Sequence, residues 1–486
     1  MKEVLHYTFS KKAAAIQKMQ LLLNHREDSL TLSVEGNSTL LSALDLFVKD
    51  ENSNILFHRQ LGTGENVITI TNNVKKASIG SIPCNFEKGI YTIELALWNE
   101  AKKYIQNAMQ VNIICETEFK NVKETCGDIV WMEKKGNLSG YEPGLKKRNH
   151  AGWYAGDFHC HTILSDGHEY LSNQMVKSEL MGLDFYSATE HNLVPSTWVN
   201  TDLLVLCGIE ITTVYGHANI FGFRKRPDNL DLICSEDNKI LFEETLDQLS
   251  SEGCVISINH PFLHPWEWLY PECLLKDIQC IEIINDPTYP DNHEANRKAI
   301  AFIDALWNDG WKICGIGGSD THALLQEWYT PESGPSIVGD PTTHVFCDGL
   351  SQNSVLDGVR KCHAYITRWI KINFDMRLND KCILPGDEIT EEGNLYVTFH
   401  LENVREKITF FVVKDGVKED IDYDVDLDHR NASITYQTNW KRDTYHWLRF
   451  GAENQNGECV LYTNPVYSGE KEHQLHTFGD AANEIQ

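Results

Sequence analysis

A central α/β layer, built as a parallel β/α sheet or barrel and flanked by two β-sandwiches, is the fold class this 486-residue sequence predicts. Three observations predict it. Apolar and polar residues alternate with a period of two near both ends of the chain. A helix–glycine–apolar strand unit recurs three times in the middle. Histidines and carboxylates fall where those middle strands end.

In the N-terminal part, Leu30, Leu32 and Val34 alternate with polar residues. Ile68 and Ile70 interleave with Thr69 and Thr71, and Tyr91, Ile93, Leu95 and Leu97 repeat the pattern. Clusters of Gly, Asn and Pro separate these runs, predicting an antiparallel sandwich over residues 1–117. Residues 118–152 carry Gly136, Gly140, Pro143 and Gly144 among charges with no sustained period, and read as a linker. Over residues 153–368, Glu169–Met181 leads through Gly182 into LDFYSATEH, Leu241–Glu252 through Gly253 into CVISINHP, and Glu294–Asp309 through Gly310 into WKICGIGGSDTH. Such units build parallel β/α folds, whose functional side chains gather at strand ends. After Arg368, alternation returns in Leu395, Val397 and Phe399 and in Ile408, Phe410 and Val412, predicting a second sandwich over 369–468. The polar tail, 469–486, is expected to fray.

With 43 Lys+Arg against 70 Asp+Glu the formal charge is -27, so duplex nucleic acid and anionic membranes are repelled over most of the surface. A small anionic or ester substrate at a local cationic centre remains compatible. Fourteen cysteines are scattered singly, without a CxxC pair, and read as buried thiols. The first residues contain an apolar run, Leu21–Leu23, interrupted upstream by Gln17, Lys18 and Gln20, and read as neither signal peptide nor membrane span. A cytoplasmic location fits both observations.

His159 and His161 are spaced to project from one face of an extended strand, with Cys160 pointing away. Asp166 follows in a turn that Gly167 allows to be tight. Glu190 and His191 are neighbours, and a regular strand aims only one of them inward. His191 is taken as the ligand and Glu190 as its support. Glu210 ends another apolar run and His217 follows on YGHANIFGF. His260 lies in NHP, and Asp320 and His322 share the spacing of the first pair behind Gly317–Gly318, which leaves room for close backbone approach. Six histidines and three acids at strand ends are the donor set of a multinuclear site for zinc, manganese or iron.

HxH–SDG, TEH, Gly208–Glu210, NHP and GGSDTH in this order resemble the polymerase and histidinol phosphatase (PHP) superfamily of metal-dependent hydrolases. WYAGDFHCHTILSDG, IEIIN and the flanking β-domains resemble more specifically its carbaryl hydrolase branch. The resemblance implies a distorted (β/α)7 barrel and two or three divalent ions. It implies one ion on His159, His161, Glu210 and Asp320, a second on Glu210, His217 and His260, and a third on Asp166, His191 and His322. Glu190 stands where the family more often has aspartate.

Metal-assisted hydrolysis follows, with a metal-bound hydroxide held by Glu210, His260 and Asp320 as nucleophile. Phosphoester cleavage is preferred, and ester, carbamate or amide hydrolysis is the alternative the resemblance implies. No serine or cysteine nucleophile is required, and the chain has no GxSxG. His264 and His293 read as ordinary loop histidines and not as leaving-group acids, and Arg297 and Arg368, which could clamp a phosphate, are not assigned to the site. Trp266 and Trp268 could wall an aromatic pocket or pack the rim. Two rival functions remain: glycan or protein binding by the β-sandwiches with a scaffold metal domain, and a single-strand nuclease, for which no basic aromatic groove is present.

Overall fold

The N-terminal alternation becomes two four-stranded antiparallel sheets in the computed structural model, which describes residues 1–62, 66–235, 238–404, 406–423, 425–426 and 430–485. Lys2–Phe9, Met109–Glu116, Ser29–Gly36 and Val67–Thr71 pair in that order. Ile16–Leu23, Gly89–Leu97, Leu44–Lys49 and Ile55–Gln60 form the other sheet. Alternate side chains turn inward, so that Phe9, Leu32, Phe57, Ile93 and Ile113 are fully buried in one shared apolar cluster.

The three middle repeats lie within about two residues of where periodicity puts them. Helix Leu171–Leu180 precedes strand Phe185–Ala188, Lys239–Ser251 precedes Val255–Ile258, and Asn292–Asn308 precedes Cys314–Gly318. Gly182, Gly253 and Gly310 take φ of 77°, 78° and 93°, the left-handed conformation that ends a helix without a Cβ clash. Phe302, Ile303, Leu306 and Trp307 form the buried stripe of the third helix.

The sheet is parallel only in part. Arg148–Asp157, Phe185–Ala188 and Leu204–Thr213 run parallel, as do Val255–Ile258, Cys280–Asn285 and Cys314–Gly318. Gly216–Phe221 joins the two triplets and is antiparallel to both neighbours. Only Val214 and Tyr215 connect it to the preceding strand, enough for a hairpin and far too few for a crossover helix. Thr342–Leu350 is likewise antiparallel to Arg148–Asp157 and to Ala364–Thr367. The result is a mixed α/β protein, mostly sheet, and its sheets do not close into the expected (β/α)7 barrel. The Cys314–Gly318 edge is instead tethered by a side chain: Gly317 N donates to Thr343 Oγ1 at 2.8 Å, and that hydroxyl donates to Gly317 O at 2.9 Å.

Residues 118–147 lie against this layer, whereas 148–152, expected as the end of a linker, belong to its strand Arg148–Asp157. Trp131 stacks on Trp198 with ring centroids 5.3 Å apart, and Tyr141 OH donates to Val205 O at 2.8 Å. Beyond Arg368, Lys381–Cys382, Lys371–Leu378, Gly393–Glu402, Asn431–Trp440 and Val425–Asp426 form one sheet. Cys459–Thr463, His446–Glu453, Thr409–Lys414 and Val417–Ile421 extend the central sheet, through the pairing of Tyr365–Thr367 with Leu461–Thr463. Phe399, Phe410 and Phe450 fill the core between them.

The tail does not fray as predicted. Thr477 and Asp480 form a capping box that starts helix Phe478–Asn483, and Phe478 is buried against Phe302, centroids 4.7 Å apart. One aromatic anchor with a good cap outweighs the polarity of the segment. Thirteen of the cysteines are free, and of these all but Cys382 and Cys459 are buried. No helix among the described residues is long and apolar enough to cross a membrane.

Candidate metal centre

The site forms where the strands Arg148–Asp157, Leu204–Thr213, Val255–Ile258 and Cys314–Gly318 end. Asp157, fully buried, accepts from the backbone N–H groups of His159 at 3.1 Å, Ser319 at 3.0 Å and Gly339 at 2.7 Å. It thereby ties together two strand ends and the loop before Thr342. His159 and His161 follow at 0% and 1% exposure, and Cys160 between them packs into the apolar core.

All nine sequence-predicted residues come together, and Glu210 is their hub. Its carboxylate lies 3.1 Å from His159 Nε2, 3.4 Å from His161 Nε2, 2.7 Å from His191 Nδ1, 3.2 Å from His217 Nδ1 and 3.7 Å from His260 Nε2. Asp320 Oδ1 is 3.3 Å from His159 Nε2 and 3.1 Å from His161 Nε2. Asp166 Oδ1 faces His191 Nε2 at 3.5 Å and His322 Nε2 at 3.3 Å. Three groups have donor atoms mutually within 4.8 Å: His161, Asp166, His191 and His322; His159, His161 and Glu210; and His191, Glu210 and His217. His260 sits further out, 3.9 Å from Asp320 Oδ2.

Several of these close approaches lack hydrogen-bond geometry. His159 Nε2, both ring nitrogens of His161, His217 Nδ1, His260 Nδ1, Asp166 Oδ1 and Asp320 Oδ1 are buried without a hydrogen-bond partner. Buried polar atoms are almost always paired, and this many orphaned imidazole nitrogens and carboxylate oxygens in one cluster fit bound cations. Backbone strain accompanies them, as His260 and Asp320 have φ of 28° and 47°, a region a non-glycine residue occupies only when its surroundings dictate it.

The charges fit as well. Burial raises the carboxyls of Glu210 and Asp320, but the imidazoles, His159 foremost, outweigh it and hold both well below the usual carboxylate range. Burial lowers His161 to about 3 and His217 to about 4, leaving both neutral at neutral pH, the form that ligates metal. Burial also opposes charge on His159 and His322. The acids around them prevail, holding His159 well above its ordinary value and His322 at about 10. The carboxylates therefore call for positive charge at this spot. A buried cluster of imidazole nitrogens and carboxylate oxygens this close together could hold metal ions.

Sequence reasoning missed the residues that orient this set. Glu282 Oε1 lies 2.9 Å from His159 Nδ1, and its Oε2 accepts from His260 N at 2.9 Å and Asn285 Nδ2 at 3.1 Å. A carboxylate only accepts, so the proton sits on Nδ1 of His159 and its Nε2 faces the centre. Asn259 Nδ2 donates to Glu210 Oε1 at 2.8 Å. The available signal was a single charge inside the wholly buried strand CIEIIN. Glu282→Gln sets an amide against three donors and is expected to weaken metal binding about 10- to 100-fold in competition with a chelator. Unchanged affinity would remove this supporting role.

Glu190 turns away from the cluster. It accepts from Thr162 N at 3.1 Å, Ser165 N at 3.2 Å and both hydroxyls at 2.5 Å, fixing the turn that carries Asp166. Burial pushes its carboxyl up to about 7 despite these donors. Gly318 admits His159: a Cβ there would lie 2.3 Å from His159 Cβ and 2.6 Å from Glu282 Oε1. The room this glycine leaves thus serves the ligand and its support.

A cavity of about 280 Å³ opens on the cluster, and Trp266 lines it while Trp268 is buried in the core against Phe242. His293, Arg297 and Arg368 line a separate cavity. Arg297 is engaged by Glu294 and Arg368 by Asp340, each at 2.9 Å, and the exposed His264 pairs with Glu267. None of these four lines the cluster's cavity.

No family model and no curated protein matches the chain. Among solved structures it is similar to a two-domain protein from Bacteroides vulgatus ATCC 8482 described as containing a predicted PHP-like metal-dependent phosphoesterase. That likeness has 16% identity and a TM-score of 0.35, and covers 67% of this chain and 98% of that one. A second similarity, to the Northeast Structural Genomics Consortium target SoR45, has 13% identity and a TM-score of 0.12, over 21% of this chain and 86% of that one.

Proposed function

We propose that the protein is a metal-dependent hydrolase of the PHP type that cleaves a phosphoester. One observation carries the proposal: five imidazoles from four separate segments lie 2.7 to 3.7 Å from the single buried carboxylate of Glu210. A structural ion pair needs one partner, whereas a carboxylate so surrounded suits a ligand shared between cations. His159, His161, Glu210 and Asp320 would hold one ion; Glu210, His217 and His260 a second; Asp166, His191 and His322 a third. Zinc, manganese or iron bound there would supply Lewis acidity and activate water at neutral pH. Glu282 fixes the tautomer of His159, Glu190 fixes the turn under Asp166, and Asn285 Nδ2 donates to Asp320 Oδ2 at 3.2 Å. In this proposal residues 153–368 are the catalytic domain, and 1–117 and 369–468 are flanking sandwiches.

Ester or carbamate cleavage, as in carbaryl hydrolase-like relatives, is a second reading. It is favoured by a cavity whose lining, among the described residues, includes Trp98, Trp266 and Tyr289 and no lysine or arginine. Elemental analysis of protein purified without added metal tests the proposal, together with turnover of para-nitrophenyl phosphate, its bis-ester and the acetate before and after chelation. Two or three divalent ions per chain are expected, with phosphoester cleavage abolished by chelation and restored by metal. Turnover indifferent to chelation would overturn the proposal, and a strong preference for the acetate would favour the second reading.

A further inference from the structure

The cavity above the cluster is not built by the central layer alone. Trp98, directly after strand Gly89–Leu97 of the N-terminal sheets, lines it beside His191, and the two rings meet edge to face with centroids 5.5 Å apart. The indole is held from behind: its Nε1 donates at 2.6 Å to Asp45 Oδ2, a fully buried carboxylate whose other oxygen lies 3.3 Å from His58 Nε2. Trp266, Tyr289 and Tyr329 also line the cavity. Tyr289 meets Tyr329 edge to face at 5.1 Å and Trp266 at 6.0 Å. Tyr329 OH donates to the buried Asp286 Oδ2 at 2.8 Å, which fixes that ring although Tyr329 is 40% exposed. Hydrogen-bonded aromatic walls next to a polar cluster present flat apolar surface at low entropic cost.

Among the described residues no lysine or arginine lines this cavity, so the part of a substrate that does not react meets no cationic clamp there. Beside Thr212, Asn285, Asp286 and Asn292, the lining offers chiefly aromatic and aliphatic surface, so apolar contact is its main source of affinity. We infer that Trp98 is a specificity-determining residue. With Trp266, Tyr289 and Tyr329 it holds a flat, apolar, aryl-type group of the substrate against the metal centre, and the N-terminal sheets thereby complete the site. This inference rests on the metal-hydrolase proposal.

Phenylphosphonate and methylphosphonate, which share a headgroup and have no ester to cleave, test it. Their binding to the full-length, metal-loaded protein is measured by titration calorimetry, with metal content determined in parallel. The phenyl compound should bind at least about tenfold more tightly than the methyl compound. Trp98→Ala should shrink that ratio about tenfold, and Trp98→Phe should restore much of it. Trp266→Ala, in a different loop, should shrink the ratio in the same direction, so that misfolding of one variant leaves the other informative. Equal binding of the two ligands by the parent protein overturns the inference and leaves the hydrolase proposal standing. A parent protein that takes up no metal sinks both.

Discussion

Replacing Glu210 with alanine is expected to remove at least one ion per chain and to lower hydrolysis by more than about 100-fold. Loss of a group that merely orients a metal ligand already costs about 10- to 100-fold in affinity or activity. Glu210 stands within 2.7 to 3.7 Å of five imidazoles, three at Oε1 and two at Oε2, so its removal strips the common carboxylate from every one of them. Metal content by elemental analysis separates this outcome from misfolding, which denaturant unfolding monitors independently. A folded Glu210→Ala protein with its full metal load would falsify the multinuclear centre.

Gly318→Ala is expected to be nearly as damaging, although it deletes no functional group. Its Cβ would stand 2.3 Å from His159 Cβ and 2.6 Å from Glu282 Oε1, and neither can retreat, because both are buried and bound to each other. Overpacking of this kind costs about 1–3 kcal/mol and occasionally more, and here the displaced atoms are a ligand and its support. Gly182→Ala is the control. Its φ is 77° but nothing lies within 4 Å of the added Cβ, so a cost of about 1 kcal/mol should leave metal binding intact. Denaturant midpoints and metal content for both variants decide the matter; equal metal retention would show that His159 does not depend on this contact.

Much of the site was legible because its ligands sit in short motifs at strand ends, where local spacing alone sets direction. His159 and His161, Asp320 and His322, and the turn at Asp166 are of this kind. The helix–glycine–strand units were legible for the same reason, since the 3.6-residue period and a left-handed glycine are local properties. What escaped depends on long-range partners. Glu282 lies in IEIIN, a strand the resemblance singles out without giving it a role, and its task shows only once Cys280–Asn285 is known to be buried on both faces. Trp98 lies 93 positions before His191, with no signal linking them other than the fold. The antiparallel turn at Val214–Tyr215 was within reach, as a two-residue gap between strands forbids a crossover. The tail misled because its mean polarity hid Phe478 and the Thr477–Asp480 cap.

The pairing of Tyr365–Thr367 with Leu461–Thr463 gives the C-terminal strands a protective office in addition to their own packing. A chain ending near Arg368 would leave a bare row of amides and carbonyls along the hem of the central layer, a template on which other copies could stack. Severing the last hundred or so residues would thus trade a discrete molecule for a sticky one, whatever became of its chemistry.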